Sequence, residues 1–205
     1  MPKLESPFVR EKQDDGRYLV TSQIAEDYEW VFEDENVVAT EKLDGTNVSI
    51  IIENGVITSV WNRTARIPFF VKGKRFIIEG VQNSFDKGYC MLPDGQHFGE
   101  VIGPKLQGNS YKLNEHLWIP FNTYARRKLS YNSWGKYPKT YDAIDGWFKE
   151  GIFSLFMMQR GIKDQAPEGI VFHQPSTGKM AKLRRDMFEW YSGKNHKVVV
   201  KEKKK

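Results

Sequence analysis

The run Glu41-Lys42-Leu43-Asp44-Gly45-Thr46-Asn47 holds the residues best suited to chemistry. A lysine closes a strand-prone stretch, a carboxylate follows two residues on, and a glycine then lets the backbone turn tightly. An amine attacks an electrophile only when neutral, and burial or a positive neighbour lowers its pKa from about 10.4. Lys42 could therefore serve as a covalent nucleophile. By itself, Lys-x-Asp-Gly also describes a surface turn with a solvated lysine. Three later segments bear on that choice: Phe98-Gly99-Glu100, Glu168-Gly169-Ile170-Val171 and Lys182-Leu183-Arg184.

The elements that must position these groups are mostly strands from Val37 onward. Asn47 to Glu53 and Val56 to Trp61 are β-branched runs around Asn54-Gly55, a dipeptide that favours a type I′ hairpin turn. Phe76 to Phe85 carries an approximate helical face, and His97 to Ile102 and Leu117 to Phe121 read as strands. Tyr141 to Gln159 reads as a helix capped by Thr140, with Gly146 and Gly151 allowing it to be two. Glu168 to His173 and Lys179 to Arg184 form a second hairpin candidate, and Asp186 to Tyr191 a short amphipathic helix. The expectation is an α+β fold with antiparallel sheets flanked by helices. One domain over residues 1–193 is expected, followed by a basic tail, 194–205.

Composition narrows the function classes. The 205 residues are 40% hydrophobic and 28% charged, which excludes wholesale disorder. The lone cysteine, Cys90, cannot form an internal bridge, and His97, His116, His173 and His196 show no metal spacing. The opening residues lack an apolar signal core, and no window reaches the length of a membrane span. A cytoplasmic setting, bacterial or that of a viral host, is expected, with no membrane partner. The net charge of +5 is too small to imply nucleic-acid binding, but its distribution is uneven. Lys197 to Lys205 holds five lysines and one acid, and Arg126-Arg127-Lys128 forms a further cluster. Phe153, Phe156, Met157 and Met158 have the spacing of a core-facing helix stripe.

The four segments, in this order, resemble the motifs of the covalent nucleotidyltransferase superfamily of ATP-dependent DNA ligases, RNA ligases and mRNA-capping enzymes. Lys42-x-Asp44-Gly45 matches its motif I, Phe98-Gly99-Glu100 motif III, Glu168-Gly169-x-Val171 motif IV and Lys182-x-Arg184 motif V. The resemblance covers roughly Val37 to Arg185 and implies the ATP-grasp-like adenylylation fold of ligases. Thr46-Asn47 after the glycine is similar to RNA ligases of the phage nick-sealing type, as is Gly99 to Asn109. DNA ligases and capping enzymes usually carry an arginine where Asn47 stands. Two features depart from the pattern. Arg184 replaces the usual second lysine of motif V, keeping charge but exchanging a compact ammonium for a planar fork. No segment after Tyr191 resembles an oligonucleotide-binding (OB) or other C-terminal domain, so a minimal core is expected.

The resemblance implies three phosphoryl transfers: Lys42 takes AMP from ATP, AMP passes to an RNA 5′-phosphate, and a 3′-hydroxyl displaces it. Lys182 and Arg184 would neutralise the α-phosphate and lower the pKa of Lys42. Glu168, with Asp44, would hold Mg²⁺ or Mn²⁺. Glu100 would accept from the ribose hydroxyls, and Glu41 (through its backbone) and Phe121 would border the adenine. Arg63 would lie near ribose and 5′-phosphate, and Asp44 and Asn47 would orient metal-bound water or phosphate. A monomer acting on RNA ends is expected, with a clamp or repair partner protein to hold the polynucleotide. The readings kept beside it are a DNA ligase or capping guanylyltransferase core, and a non-catalytic RNA-binding module.

Overall fold

The computed structural model describes residues 3–70, 72–88, 91–131 and 137–192. Cys90, His196 and the basic tail lie outside the described residues. In chain order the elements are β1 (Phe8–Lys12), β2 (Tyr18–Ile24), α1 (Trp30–Glu33), β3 (Val38–Lys42), β4 (Thr46–Glu53), β5 (Val56–Trp61), β6 (Arg66–Ile67), α2 (Arg75–Asp86), β7 (Gly95–Ile102), β8 (Leu117–Pro120), α3 (Arg126–Lys128), α4 (Tyr141–Gly146), α5 (Leu155–Met158), β9 (Gly169–His173) and β10 (Met180–Arg184). Antiparallel sheets with flanking helices match the expected α+β class. Two compact units emerge, residues 43–128 and residues 3–42 with 129–192.

The first unit is a five-stranded antiparallel sheet, ordered β6-β5-β4-β7-β8. Alternation along β4 buries Val48, Ile50 and Ile52, because successive side chains of a strand leave on opposite faces. They pack with Ile77 and Val81 of α2 and with Trp118 of β8. Trp118 is fully buried, and its indole N–H donates to the Val48 carbonyl at 3.0 Å, so a polar atom enters this core already satisfied. The hairpin turn takes the expected form, with φ of 53° at Asn54 and 74° at Gly55. Asp94, which the sequence did not single out, accepts from both turn N–H groups at 2.7 and 2.9 Å.

The second unit holds a three-stranded antiparallel sheet, β10-β9-β3, and a β1–β2 hairpin that the sequence reading missed. The expected helix from Tyr141 to Gln159 is broken into two. Thr140 caps α4, a π-turn over Trp147–Gly151 follows, and the chain leaves helical geometry at Ile152. Ser154 then recaps α5 by accepting from the Met157 N–H at 3.1 Å. No helix forms over Asp186 to Tyr191. A short 3₁₀ turn ends at Met187 and Phe188 is extended, its ring packed on Phe148 and Trp190. Ring packing decides that segment over its helical periodicity.

Candidate functional site

Register brings the later motifs to Lys42. Lys42 of β3 stands opposite Gly169 of β9, and Gly169 stands opposite Arg184 of β10. Thr40, Val171 and Lys182 form the next such row. Directly opposed residues share a sheet face, so Lys42, Lys182 and Arg184 lie on one face. Glu168, one residue before β9, reaches Lys42 Nζ with Oε2 at 2.5 Å, while its Oε1 lies 3.8 Å from Arg184 Nη1. Arg184 Nε also approaches Asp186 at 3.1 Å. Lys42 and Glu168 are each 21% exposed, so the pair is partly desolvated yet open to a ligand. Burial, with the charges of Arg184 and Lys42, pulls the Lys182 ammonium below the usual lysine range.

Gly169 is dictated by close approach. A Cβ there would sit 2.1 Å from the Leu183 carbonyl oxygen, so any side chain would part β9 from β10 where Glu168 must turn. Gly45 behaves likewise in its own unit: a Cβ would meet the Val101 carbonyl oxygen at 2.2 Å. Its φ is not positive, so contact with β7, rather than a tight turn, excludes larger residues.

Glu41 has a different place. Its side chain lies on the opposite face from Lys42, 3% exposed among core residues, with Ser154 Oγ donating to Oε1 at 2.6 Å and the Phe156 N–H to Oε2 at 2.8 Å. Burial pushes this carboxyl up to about 7, against the pull of its hydrogen bonds. The Glu41 backbone N–H donates to the Leu129 carbonyl at 2.8 Å.

The remaining expected residues belong to the unit of residues 43–128. Asn47 and Glu100 are cross-strand partners on β4 and β7, with Ile119 of β8 next in the row, on the face opposite the Val48 and Trp118 core. Glu100 is buried, and Asn47 Nδ2 lies 3.5 Å from the Gly99 carbonyl. Asp44 donates its N–H to the buried Tyr111 hydroxyl at 2.8 Å, a partner without a sequence signal. Arg63 is exposed in the β5–β6 turn, and Phe121 opens a π-turn after β8 rather than ending the strand. The structure therefore groups Lys42, Glu168, Lys182 and Arg184 in one unit and pairs Asn47 with Glu100 in the other.

Lys182 and Arg184 also line a cavity of about 650 Å³ with Lys3, Arg10, Arg17 and Tyr18. The last four come from the N-terminal segment and the β1–β2 hairpin. Asp15-Gly16 between β-branched runs was the available signal for that hairpin.

As for a metal, no cluster of three or more His, Cys, Asp or Glu side chains occurs among the described residues. Glu168 offers one carboxylate beside phosphate-seeking cations. Such a donor set fits Mg²⁺ or Mn²⁺ bound jointly by a carboxylate and substrate phosphates, the usual habit of Mg²⁺, and not an all-protein cage. No helix among the described residues is long and apolar enough to cross a membrane.

The sequence profile of the RNA ligase family matches residues 35–186. None of the curated proteins matches in sequence. Among solved structures, a variant of the Naegleria gruberi RNA ligase with AMP and Mn superposes with a TM-score of 0.53 at 15% identity, covering 88% of this chain and 59% of that one. A second variant of that ligase, with ATP and Mn, gives 0.51 at 16% identity with the same coverage. At such identity the likeness is one of fold, and the chain spans about three-fifths of the length of these relatives.

Proposed function

We propose that this chain, which belongs to the RNA ligase family, uses ATP to join RNA 5′-phosphate and 3′-hydroxyl ends through an AMP carried on Lys42. The observation that carries the reading is the Lys42–Glu168 pair at 2.5 Å, flanked on the same sheet face by Lys182 and Arg184. A lysine paired with a carboxylate and flanked by two further cations suits attack on a polyphosphate, where positioning and charge neutralisation are the main catalytic resources.

In the first step Lys42 Nζ attacks the α-phosphorus, a P–N bond forms, and the P–O bond to pyrophosphate breaks. The amine must be neutral to attack, and Glu168 Oε2 is the acceptor at hand for its proton. Lys182 and Arg184 hold the phosphate oxygens as negative charge builds. Glu168 is also the residue that would bind the divalent cation, whose chemistry is to neutralise the phosphates. Glu100, paired with Asn47, is the proposed acceptor for the ribose hydroxyls. Arg63 and Phe121 keep their proposed roles at the 5′-phosphate side and the adenine. In the second step an RNA 5′-phosphate oxygen attacks the AMP phosphorus and the P–N bond breaks. In the third a 3′-hydroxyl attacks the activated end and AMP leaves. We place the reaction in a reducing, cytoplasmic compartment, a reading that the single cysteine supports, and take the chain to act as a monomer.

Incubation with α-labelled ATP or GTP, followed by 5′-phosphorylated RNA, tests the proposal. An AMP adduct that is discharged on adding RNA supports it. A GMP adduct points to capping chemistry, and no adduct to a binding module.

A further inference from the structure

We propose that the cavity between the β1–β2 hairpin and the end of β10 binds a single-stranded RNA end, its phosphates on Lys3, Arg10 and Arg17 and a base stacked on Tyr18. The inference rests on the reading of Lys42 and its neighbours as an RNA-sealing centre, because Lys182 and Arg184 line the same cavity.

Charge is the first argument. The lining carries five cationic side chains and one carboxylate, Asp186. Like charges gathered around a space of about 650 Å³ repel one another, and a bound polyanion relieves that repulsion. Arg10 pairs with Glu5, and Arg17 Nε meets Asp15 at 2.6 Å, with Arg17 and Asp15 about half exposed. Exposed pairs of this kind contribute little to stability. They hold the guanidinium groups in place without removing them from reach. Asp15 also accepts from the Arg17 backbone N–H at 2.9 Å, which fixes the turn that presents Arg17.

The aromatic wall is the second argument, and it selects the ligand. Tyr18 begins β2 and is 53% exposed, a large ring left in water beside the cations. Tyr191, half-buried, lines the cavity as well. Cations that track a backbone, interleaved with rings that stack on bases, are the means by which proteins hold single-stranded nucleic acid without reading its sequence. The pyrophosphate portion of ATP has no ring to stack, so Tyr18 would add nothing to its binding.

The position also suits the chemistry. The segment before β1 meets the outer edge of β10, where the Glu5 carbonyl accepts from the Lys182 N–H at 2.9 Å. This contact ties the hairpin's cations to the strand that carries Lys182 and Arg184. An RNA held there would have phosphates on both.

Fluorescence anisotropy of the full chain with a short, labelled, 5′-phosphorylated single-stranded RNA tests the site. Tyr18→Ala should weaken binding about tenfold, the loss of one stacked base, while Tyr18→Phe keeps wild-type affinity. The double variant Lys3→Ala/Arg17→Ala should weaken binding at low salt and flatten the log–log salt dependence by about 1.4, two contacts at about 0.7 each. Adduct formation with labelled ATP should run at the wild-type rate in all three. Unchanged RNA affinity and salt slope would overturn the site. So would slower adduct formation with unchanged RNA affinity, because the cavity would then serve the nucleotide's own phosphates. If the wild type forms no adduct while Tyr18→Ala still loses RNA, the sealing reading fails and the RNA site stands.

Discussion

The two faces of the β10-β9-β3 sheet are built from neighbouring residues and do opposite work. On one face lie the like charges of Lys42, Lys182 and Arg184, with Glu168 reaching both Lys42 and Arg184. On the other, Ala39, Ile170, Phe172, Ala181 and Leu183 are buried completely, and Glu41 is nearly so. Glu41 and Lys42 adjoin in the chain and part company because strand side chains alternate. Each face has an ionisable residue where the opposite type is the easier choice. The open face tolerates mutual repulsion, which the proposed binding of phosphate would relieve, and the buried face tolerates a carboxyl that holds the Ser154–Phe156 turn. Changes on the first face should alter chemistry and spare the fold. Changes on the second should do the reverse.

The sharpest break is Lys42→Ala. It should abolish the ATP-dependent mass increase of one AMP while the protein still melts cooperatively and still seals pre-adenylylated RNA. An intact adduct in that variant would remove Lys42 from the mechanism. Next in size is Glu168→Gln, which keeps volume and removes charge. Adduct formation should fall by on the order of 10²-fold, as expected when a principal electrostatic group is lost, and its dependence on Mg²⁺ or Mn²⁺ concentration should shift. An unchanged rate and metal dependence would show that Glu168 only anchors the lysine.

The Glu41 carboxyl gives the buried face a pH signature. Its folded pKa of about 7 lies above the ordinary carboxylate value of 4.5. Between those limits the native state binds more protons than the unfolded chain, so stability falls as pH rises from about 4.5 through about 7 and then levels off. The contribution is at most a few kcal/mol, since each tenfold change in proton affinity is worth about 1.4 kcal/mol. Urea melts between pH 5 and 8 should show the decline in the wild type, and Glu41→Gln should flatten it. A wild type whose stability is level across that range would mean that Glu41 is already ionised at pH 5.

The sequence revealed the open face far better than the buried one. The grouping of Lys42, Glu168, Lys182 and Arg184 was legible because charged residues at the ends of three strand-prone segments meet once those strands pair in register. The β4–β5 hairpin was legible too, since Asn54-Gly55 can satisfy two positive φ angles and few other pairs can. The Glu41 side chain was not, because nothing local marks Ser154, over a hundred positions away, as its donor. The break between α4 and α5 has the same origin, with Gly146 and Gly151 only hinting at it. The hairpin of Arg10 and Arg17 has little signal because β1 and β2 mix polar and apolar residues, and only one of five residues in β1 and two of seven in β2 are buried.

Ser154→Ala is the gentlest probe of the buried face and the one that best separates its role from catalysis. The Ser154 hydroxyl does two things at once: it donates to Glu41 Oε1 at 2.6 Å and accepts from the Met157 N–H at 3.1 Å, so it serves the carboxyl and caps α5. Alanine removes both bonds. Loss of an N-cap typically costs about 1 kcal/mol, and loss of a donor to a buried carboxylate about as much again. The Phe156 N–H still reaches Glu41, which keeps the total near 2 kcal/mol. Losing a donor to the charged form should also raise the Glu41 pKa further, moving the end of the stability decline to higher pH. Lys42 projects from the opposite face, so adduct formation per folded molecule should stay within about twofold of wild type, well inside the 1.4 kcal/mol that a tenfold change requires. The two readouts are a denaturation series at pH 6 and 8 and a single-turnover adenylylation rate at a temperature where both proteins are folded. A large loss of rate with little loss of stability would mean that the buried face tunes the chemistry directly, and the division of labour between the faces would fall.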